Sequence, residues 1–156
     1  MRIRCLAVVV VALTTVSCGG DLATRELGPA TVKYPSQWVH APADGLGWDQ
    51  AVVMRPASSD TDSSHPFVQL AVKRDGRSGY EKEIAAVKRS PYPMTPLDVD
   101  VAGAREVYAY REDGLVSYVH ALSEDTRFSV YVQVDARDTD ELDVERILDS
   151  VRLESP

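Results

Sequence analysis

The sequence predicts an α+β domain in which helices pack on an antiparallel β-sheet. Three observations carry that prediction. Apolar residues alternate with period two in several runs from residue 31 onward; the dipeptide Asp113-Gly114, a strong hairpin signal, separates two of those runs; and two stretches show helical periodicity, one between strands and one at the end.

The elements follow in order. Residues 31–34 form a short strand that runs into Pro35-Ser36-Gln37-Trp38, and 49–55 form a second that Pro56 stops. A Ser/Asp-rich loop fills 57–66. Along 67–74, Val68, Leu70 and Val72 take one face, with Gln69 and Lys73 on the other. Tyr80, Ile84 and Val87 then recur at helical spacing behind Ser78-Gly79-Tyr80-Glu81, which has the spacing of a capping box; Pro91 cannot continue that helix. Leu97, Val99 and Val101 alternate with Asp98 and Asp100 until Gly103 breaks the run. Strands at 104–111 and 115–122 flank Asp113-Gly114. A last strand at 127–135 sets Phe128, Val130, Val132 and Val134 on one face. Near the end, Asp138 to Asp140 supply N-cap oxygens and acidic charge suited to a helix dipole. Leu142, Val144, Ile147, Leu148 and Val151 form the apolar stripe of the closing helix.

Ahead of this domain, residues 1–18 read as a lipoprotein signal. Arg2 and Arg4 make a positive start, and 6–16 is apolar apart from Thr14 and Thr15. That run is short of the roughly 20 residues a spanning helix needs, so it reads as a cleavable segment. Thr15-Val16-Ser17-Cys18 then presents a cysteine behind small residues, although Thr15 stands where such signals usually carry Leu. In lipoproteins of this kind lipid is attached to the cysteine thiol and the preceding peptide is removed, which makes Cys18 the mature N-terminus and the membrane attachment. An ordinary secretory signal cut near Ser17 or Gly20, and an N-terminal membrane span, are the alternatives. Residues 19–30 read as a short flexible tether, and 31–154 as a single domain.

Composition narrows the functional classes. Of the two cysteines, Cys5 leaves with the signal, so the mature chain has no disulfide, thiolate metal site or thiol nucleophile to draw on. Removing Arg2 and Arg4 takes the 17 basic residues to fifteen against 24 acidic ones, a net of −9. That balance argues against nucleic acid as a partner and against electrostatic adhesion to anionic lipid. Attachment to the membrane then falls to the lipid. Four lysines against thirteen arginines, with much Ala, Val and Asp, point to a GC-rich genome.

The order of elements, Tyr34-Pro35-Ser36-Gln37-Trp38, Gly103 leading into 104–111, and the ending Ile147-Leu148-Asp149-Ser150-Val151-Arg152-Leu153 together resemble the PsbP-like fold over residues 31–153. With the lipobox ahead of it, the chain looks like an actinobacterial lipoprotein of the LpqN type. The resemblance implies an αβα sandwich and an adaptor or assembly role rather than catalysis. It transfers architecture better than function, because this fold serves unrelated partners.

Chemistry-bearing patterns are sparse. His40, His65 and His120 lie far apart, with no metal-ligand spacing, and His120 reads as a covered imidazole hydrogen-bonded locally, since it alternates with Val116, Tyr118 and Leu122. Asp60-Thr61-Asp62 and the acids between Asp135 and Asp143 lack the register of a calcium loop. Ser64-His65 is a loop dipeptide, no Gly-x-Ser-x-Gly elbow occurs, and Gly45-Leu46-Gly47 opens no helix. The expectation is therefore no catalytic residue, metal or cofactor. Trp38 and Trp48 read as core anchors or edge covers, with the mouth of a lipid or glycan site as the alternative.

A two-residue turn at Asp113-Gly114 would place Glu112 opposite Leu115, Val107 opposite His120 and Ala109 opposite Tyr118. Matching apolar sides puts Leu122 opposite Phe128. The core face then carries Val107, Ala109, Val116, Tyr118, Leu122, Phe128, Val130, Val132 and Val134, and the other carries Glu106, Tyr108, Tyr110, Ser117, Val119, Ala121, Ser129, Tyr131 and Gln133. Tyr108, Tyr110 and Tyr131 are the expected contact patch for a partner, because a tyrosine ring offers area and a hydroxyl at low entropic cost; a helix laid over that face is the competing expectation. The sequence as a whole reads as a lipid-anchored, extracytoplasmic, non-catalytic binding or adaptor module of the cell envelope, partner unnamed. A hydrolase built from scattered residues and a lipid- or glycan-binding carrier are the alternatives. Thermal unfolding is expected to be unchanged by reductant and chelator; a transition that collapses on chelation would bring the histidines back as ligands.

Overall fold

The computed structural model describes residues 20–43, 47–57, 66–137, 139–140 and 142–154. In chain order the elements are β1 (Leu22–Leu27), β2 (Ala30–Pro35), β3 (Val39–Pro42), β4 (Gln50–Arg55), β5 (Phe67–Lys73) and α1 (Gly76–Lys88). β6 (Met94–Pro96), β7 (Ala104–Glu112), β8 (Val116–Ser123), β9 (Ser129–Asp135), α2 (Val144–Leu148) and β10 (Arg152–Leu153) follow. Seven strands form one antiparallel sheet in the order β3-β4-β5-β9-β8-β7-β6, and β1-β2-β10 form a smaller one. The architecture is α+β, as the sequence predicts.

The apolar alternation builds the core between the two sheets. Val52 and Met54 of β4, Val68, Leu70 and Val72 of β5, Val119 and Ala121 of β8, and Val130, Val132 and Val134 of β9 are all buried on one side of the large sheet. Ala30, Val32 and Tyr34 of β2 meet them, with Ile147 and Leu148 of α2, Val151 and Leu153. Each fully buried aliphatic side chain contributes roughly 1.5–3 kcal/mol. α1 lies on the opposite side of the large sheet, where Tyr80 and Ile84 pack on Leu122 and Tyr108. Helices therefore occupy both sides, α2 sharing its side with the small sheet.

Several elements differ from expectation. The stretch expected as a tether holds β1, paired with β2 from Leu22↔Pro35 to Leu27↔Ala30 across a two-residue turn at Gly28-Pro29. Burial alternates along β1, but Arg25 takes one of its half-buried positions, so the sequence shows no apolar period there. β3, whose residues are mostly exposed, was equally invisible. The strand expected at 97–101 is displaced to β6: Leu97, Val99 and Val101 do turn inward, but as an extended segment without a ladder. That segment runs to Gly103, where φ is +79° and a Cβ would lie 1.9 Å from the Leu153 carbonyl oxygen, so glycine is required. α1 starts at Gly76 after Asp75, two residues ahead of the expected box at Ser78. Asp75 caps nothing with its side chain, which instead binds Lys73 at 2.8 Å and accepts from Ser129 Oγ at 3.2 Å. α2 is a short helix, and its cap is Asp143, which accepts from the Arg146 N–H at 3.1 Å, in place of the acids at 138–140; Asp138 lies outside the described residues.

The largest correction concerns register. Asp113 and Gly114 do form the tight turn, with φ of 50° and 70°, and the Leu115 N–H donates to the Glu112 carbonyl at 3.2 Å. Leu115, however, is left out of the ladder, so Glu112 pairs with Val116, Tyr110 with Tyr118 and Tyr108 with His120. On the other flank Leu122 pairs with Ser129 rather than Phe128, and His120 with Tyr131. One extra residue exchanges the faces of β8: Val119 and Ala121 are core, while Val116, Tyr118, His120 and Leu122 join the face of α1.

Adjacent substitutions test this register. Val119→Gln places an amide in the core and is expected to abolish the cooperative urea transition, whereas Tyr118→Gln retains it; the two-residue-turn register requires the reverse. Leu70→Ala is expected to cost about 2–5 kcal/mol, read from the same transition.

Candidate binding face

The register collects aromatic and amide side chains on the α1 side of the large sheet. Reading across the strands, Val53, Gln69, Gln133, Tyr118 and Tyr110 form one row, and Ala51, Ala71, Tyr131, His120 and Tyr108 form the next. The rings touch in series. Tyr110 stacks on Tyr118 at 4.8 Å and on His120 at 5.9 Å, His120 meets Tyr131 edge-on at 5.1 Å, and Tyr131 stacks with Trp48 at 5.2 Å. Trp48, Tyr131, Gln133 and Tyr118 remain half-buried, which leaves this part of the face open to solvent.

Burial makes these groups neutral. Desolvation pulls the His120 imidazole down to about 4, well below its ordinary 6.5. It lifts the Tyr118 phenol to about 12, with the nearby Glu112 carboxylate adding to the rise, and carries Tyr110 and Tyr131 higher still. The Tyr131 hydroxyl donates to Gln133 Oε1 at 2.8 Å, and the Tyr118 hydroxyl donates to Glu112 Oε2 at 3.1 Å. On this face His120 Nε2, in a residue 4% exposed, and Gln69 Nε2, in one 5% exposed, have no partner. An unmet buried donor or acceptor costs about 1–3 kcal/mol. His120 is covered, as expected, but its Nε2 lacks the local hydrogen bond expected of the ring.

The face offers area, stacking and hydrogen bonds. Of the expected patch, Tyr131 is half-open beside Trp48, and Tyr108 is half-buried against α1, with Lys88 Nζ 5.6 Å from its ring centre. Tyr110 departs from expectation: it is only 7% exposed, enclosed between Tyr108 and Tyr118. Tyr118, Trp48, Gln69 and Gln133 were missed as a group, Tyr118 because of the register and Trp48 because only tertiary contact brings it to Tyr131.

The remaining candidates are scattered. His40 is exposed on β3, its Nε2 3.4 Å from Arg25 Nη1, and it does not approach His120. Cys18, Gly45, Leu46, Asp60, Asp62, Ser64 and His65 lie outside the described residues. Trp38 packs against the main core. Among the described residues no three His, Cys, Asp or Glu side chains are grouped to hold a metal, and no helix is long and apolar enough to cross a membrane. An open hollow of about 510 Å³ lies between the start of α1 and the turn before β9, lined by Arg74, Asp75, Gly76, Thr126, Arg127 and Phe128.

No protein-family model and no curated protein matches the chain. Among solved structures it is similar to a protein of Bacteroides thetaiotaomicron VPI-5482, at 10% identity and a TM-score of 0.47. That match covers 87% of this chain and 49% of the other, so the chain spans about half the length of that protein. It is also similar to PsbP (CyanoP) from Synechocystis sp. PCC 6803, at 12% identity and a TM-score of 0.43, over 92% of this chain and 98% of that one. The fold assignment rests on the strand order, register and packing described above.

Because His120 is held neutral, its unfolded form binds a proton between pH 6.5 and about 4 that the folded form refuses. Stability is therefore full above pH 6.5 and falls with acidification, by about 2–3 kcal/mol from this residue on reaching pH 4.5. Urea unfolding of the wild type and of His120→Phe at pH 7 and pH 4.5 is expected to show that the variant lacks this part of the loss.

Proposed function

We propose that the chain is a lipid-anchored, extracytoplasmic binding or adaptor module of the cell envelope, without catalysis of its own. The observation that carries the binding reading is the half-open face of Trp48, Tyr131, Gln133 and Tyr118, neutral and aromatic, on the side of the sheet away from the main core. Rigid rings flanked by amides suit recognition of a partner surface, because they supply contact area with few rotatable bonds. Anchoring is supported by Ser17-Cys18 behind a short apolar run. The resemblance to PsbP-like lipoproteins of the LpqN type implies the same class of role.

A carrier for a hydroxyl-rich ligand is the second reading, favoured by the unpartnered His120 Nε2 and Gln69 Nε2. A hydroxyl group both donates and accepts, so it satisfies either atom whichever imidazole tautomer is present.

A photo-crosslinking amino acid placed at Gln133, in the full-length protein in its native membrane, is expected to yield a discrete protein adduct. The same group at Arg74 is expected to yield none. Crosslinking from both positions alike, or from neither, defeats the partner-face reading. Cys18→Ala is expected to release the protein from the membrane fraction, and intact mass to show acyl chains on the wild type alone.

A further inference from the structure

We infer that the rim formed by Ser36, Gln37, Trp38 and Val39 rests on the surface of the lipid bilayer, so that the large sheet stands end-on to the membrane. The inference rests on the reading of Cys18 as the lipid-bearing residue.

The distance from lipid to fold is set by covalent geometry. The fold begins at Asp21, whose carbonyl accepts from the Ser36 N–H at 2.9 Å, and the β1–β2 ladder begins one residue later at Leu22↔Pro35. Only Gly19 and Gly20 stand between Cys18 and Asp21. Three Cα-to-Cα steps span at most about 11 Å. The polar layer on each side of a bilayer is itself roughly 5–8 Å thick. A diacylated Cys18 seated at the lipid interface therefore leaves the domain only a few ångströms of slack, and the part of the domain beside Asp21 must meet the headgroups.

The residues found there suit that position. From Tyr34 to Ala43 the sequence carries no Asp, Glu, Lys or Arg, in a mature chain whose net charge is −9. Ser36, Gln37 and Val39 are exposed, Val39 to 48%, and Trp38 is half-buried with an accessible part. A tryptophan flanked by polar and aliphatic residues is the composition favoured at a membrane–water interface. Strand pairing sets Asp21, at the start of β1, and Arg55, opposite Val39, beside this rim, with Asp135 and Glu112 farther along the same end of the large sheet. Contact here need not be strong. With a tether this short the effective concentration of lipid surface is in the millimolar range or above, so a weak contact is populated.

The orientation has a built-in control. β4 runs from Gln50 to Arg55, and Arg55 pairs with Val39. Trp48 precedes Gln50, so the two tryptophans lie at opposite ends of the β3–β4 pair, roughly 17–23 Å apart along the strand direction at 3.3 Å per residue. With Trp38 at the membrane, Trp48 and Tyr131 stand away from it on a face turned sideways.

The experiment uses full-length protein purified from membranes and reconstituted into phosphatidylcholine/phosphatidylglycerol vesicles with brominated acyl chains. In Trp48→Phe, Trp38 is the sole emitter and is expected to lose about half of its emission; in Trp38→Phe, Trp48 is expected to keep its emission. Unquenched Trp38, or Trp48 quenched as much as Trp38, overturns the seat when intact mass shows acyl chains on Cys18, and leaves the lipid anchor standing. Absence of acyl mass overturns the anchor and the seat together. If Trp38→Phe does not fold, spin labels at Gln37→Cys and Arg74→Cys replace it. The label at 37 is expected to show greater exposure to lipid-soluble oxygen, and the label at 74 to a water-soluble nickel reagent; the reverse or no difference overturns the seat.

Discussion

Burial of the valine-rich side of the seven-stranded sheet is the constraint that the other features obey. Val68, Leu70, Val72, Val119, Ala121, Val130, Val132 and Val134 fill that side, and the small sheet and α2 exist in the fold to cover it. A strand alternates its side chains with period two, so committing these residues inward commits the residues between them outward. Tyr118, His120, Tyr131 and Gln133 are thus placed together by the packing of their neighbours, without any attraction among themselves being needed. Ordering each residue costs about 1–2 kcal/mol in backbone entropy, and the dense aliphatic face offsets it, since residues 19–156 contain no cysteine to form a disulfide.

The aromatic face inherits its chemistry from that arrangement. α1 covers Leu122 and Tyr108 and stops short of the opposite corner, so the face grades from buried rings to open ones. Low polarity around the rings disfavours the charged forms of His120 and the tyrosines alike. The same environment makes the unpaired nitrogens of His120 and Gln69 costly to leave unmet.

Both edges of the large sheet are blunted. β3 has four residues and ends at Pro42, while β6 has three, follows Pro91-Tyr92-Pro93 and ends at Pro96, so neither presents a long ladder to another chain.

By itself the sequence determined the fold class, the long alternating strands at β4, β5, β7 and β9, the helix containing Tyr80 and Ile84, and the inward set of β9, because each writes its burial into a simple period. It also determined the charge balance and the cysteine inventory, which depend on composition alone. It grouped Tyr108 and Tyr110 with Tyr131 correctly, since β7 and β9 each have one apolar side. It did not determine the face of β8. Val116, Tyr118, His120 and Leu122 are as coverable as Ser117, Val119 and Ala121, and Asp113-Gly114 forms the same tight turn whether or not Leu115 joins the ladder. Nor did it reveal β1, where Arg25 takes a half-buried position, β3, which is mostly exposed, or the approach of Trp48 to Tyr131 across the sheet. Those were decided by tertiary structure, because a residue buried on both sides of a strand leaves no polar partner to mark its direction, and only the packing of the whole sheet chooses between two registers that are locally equal.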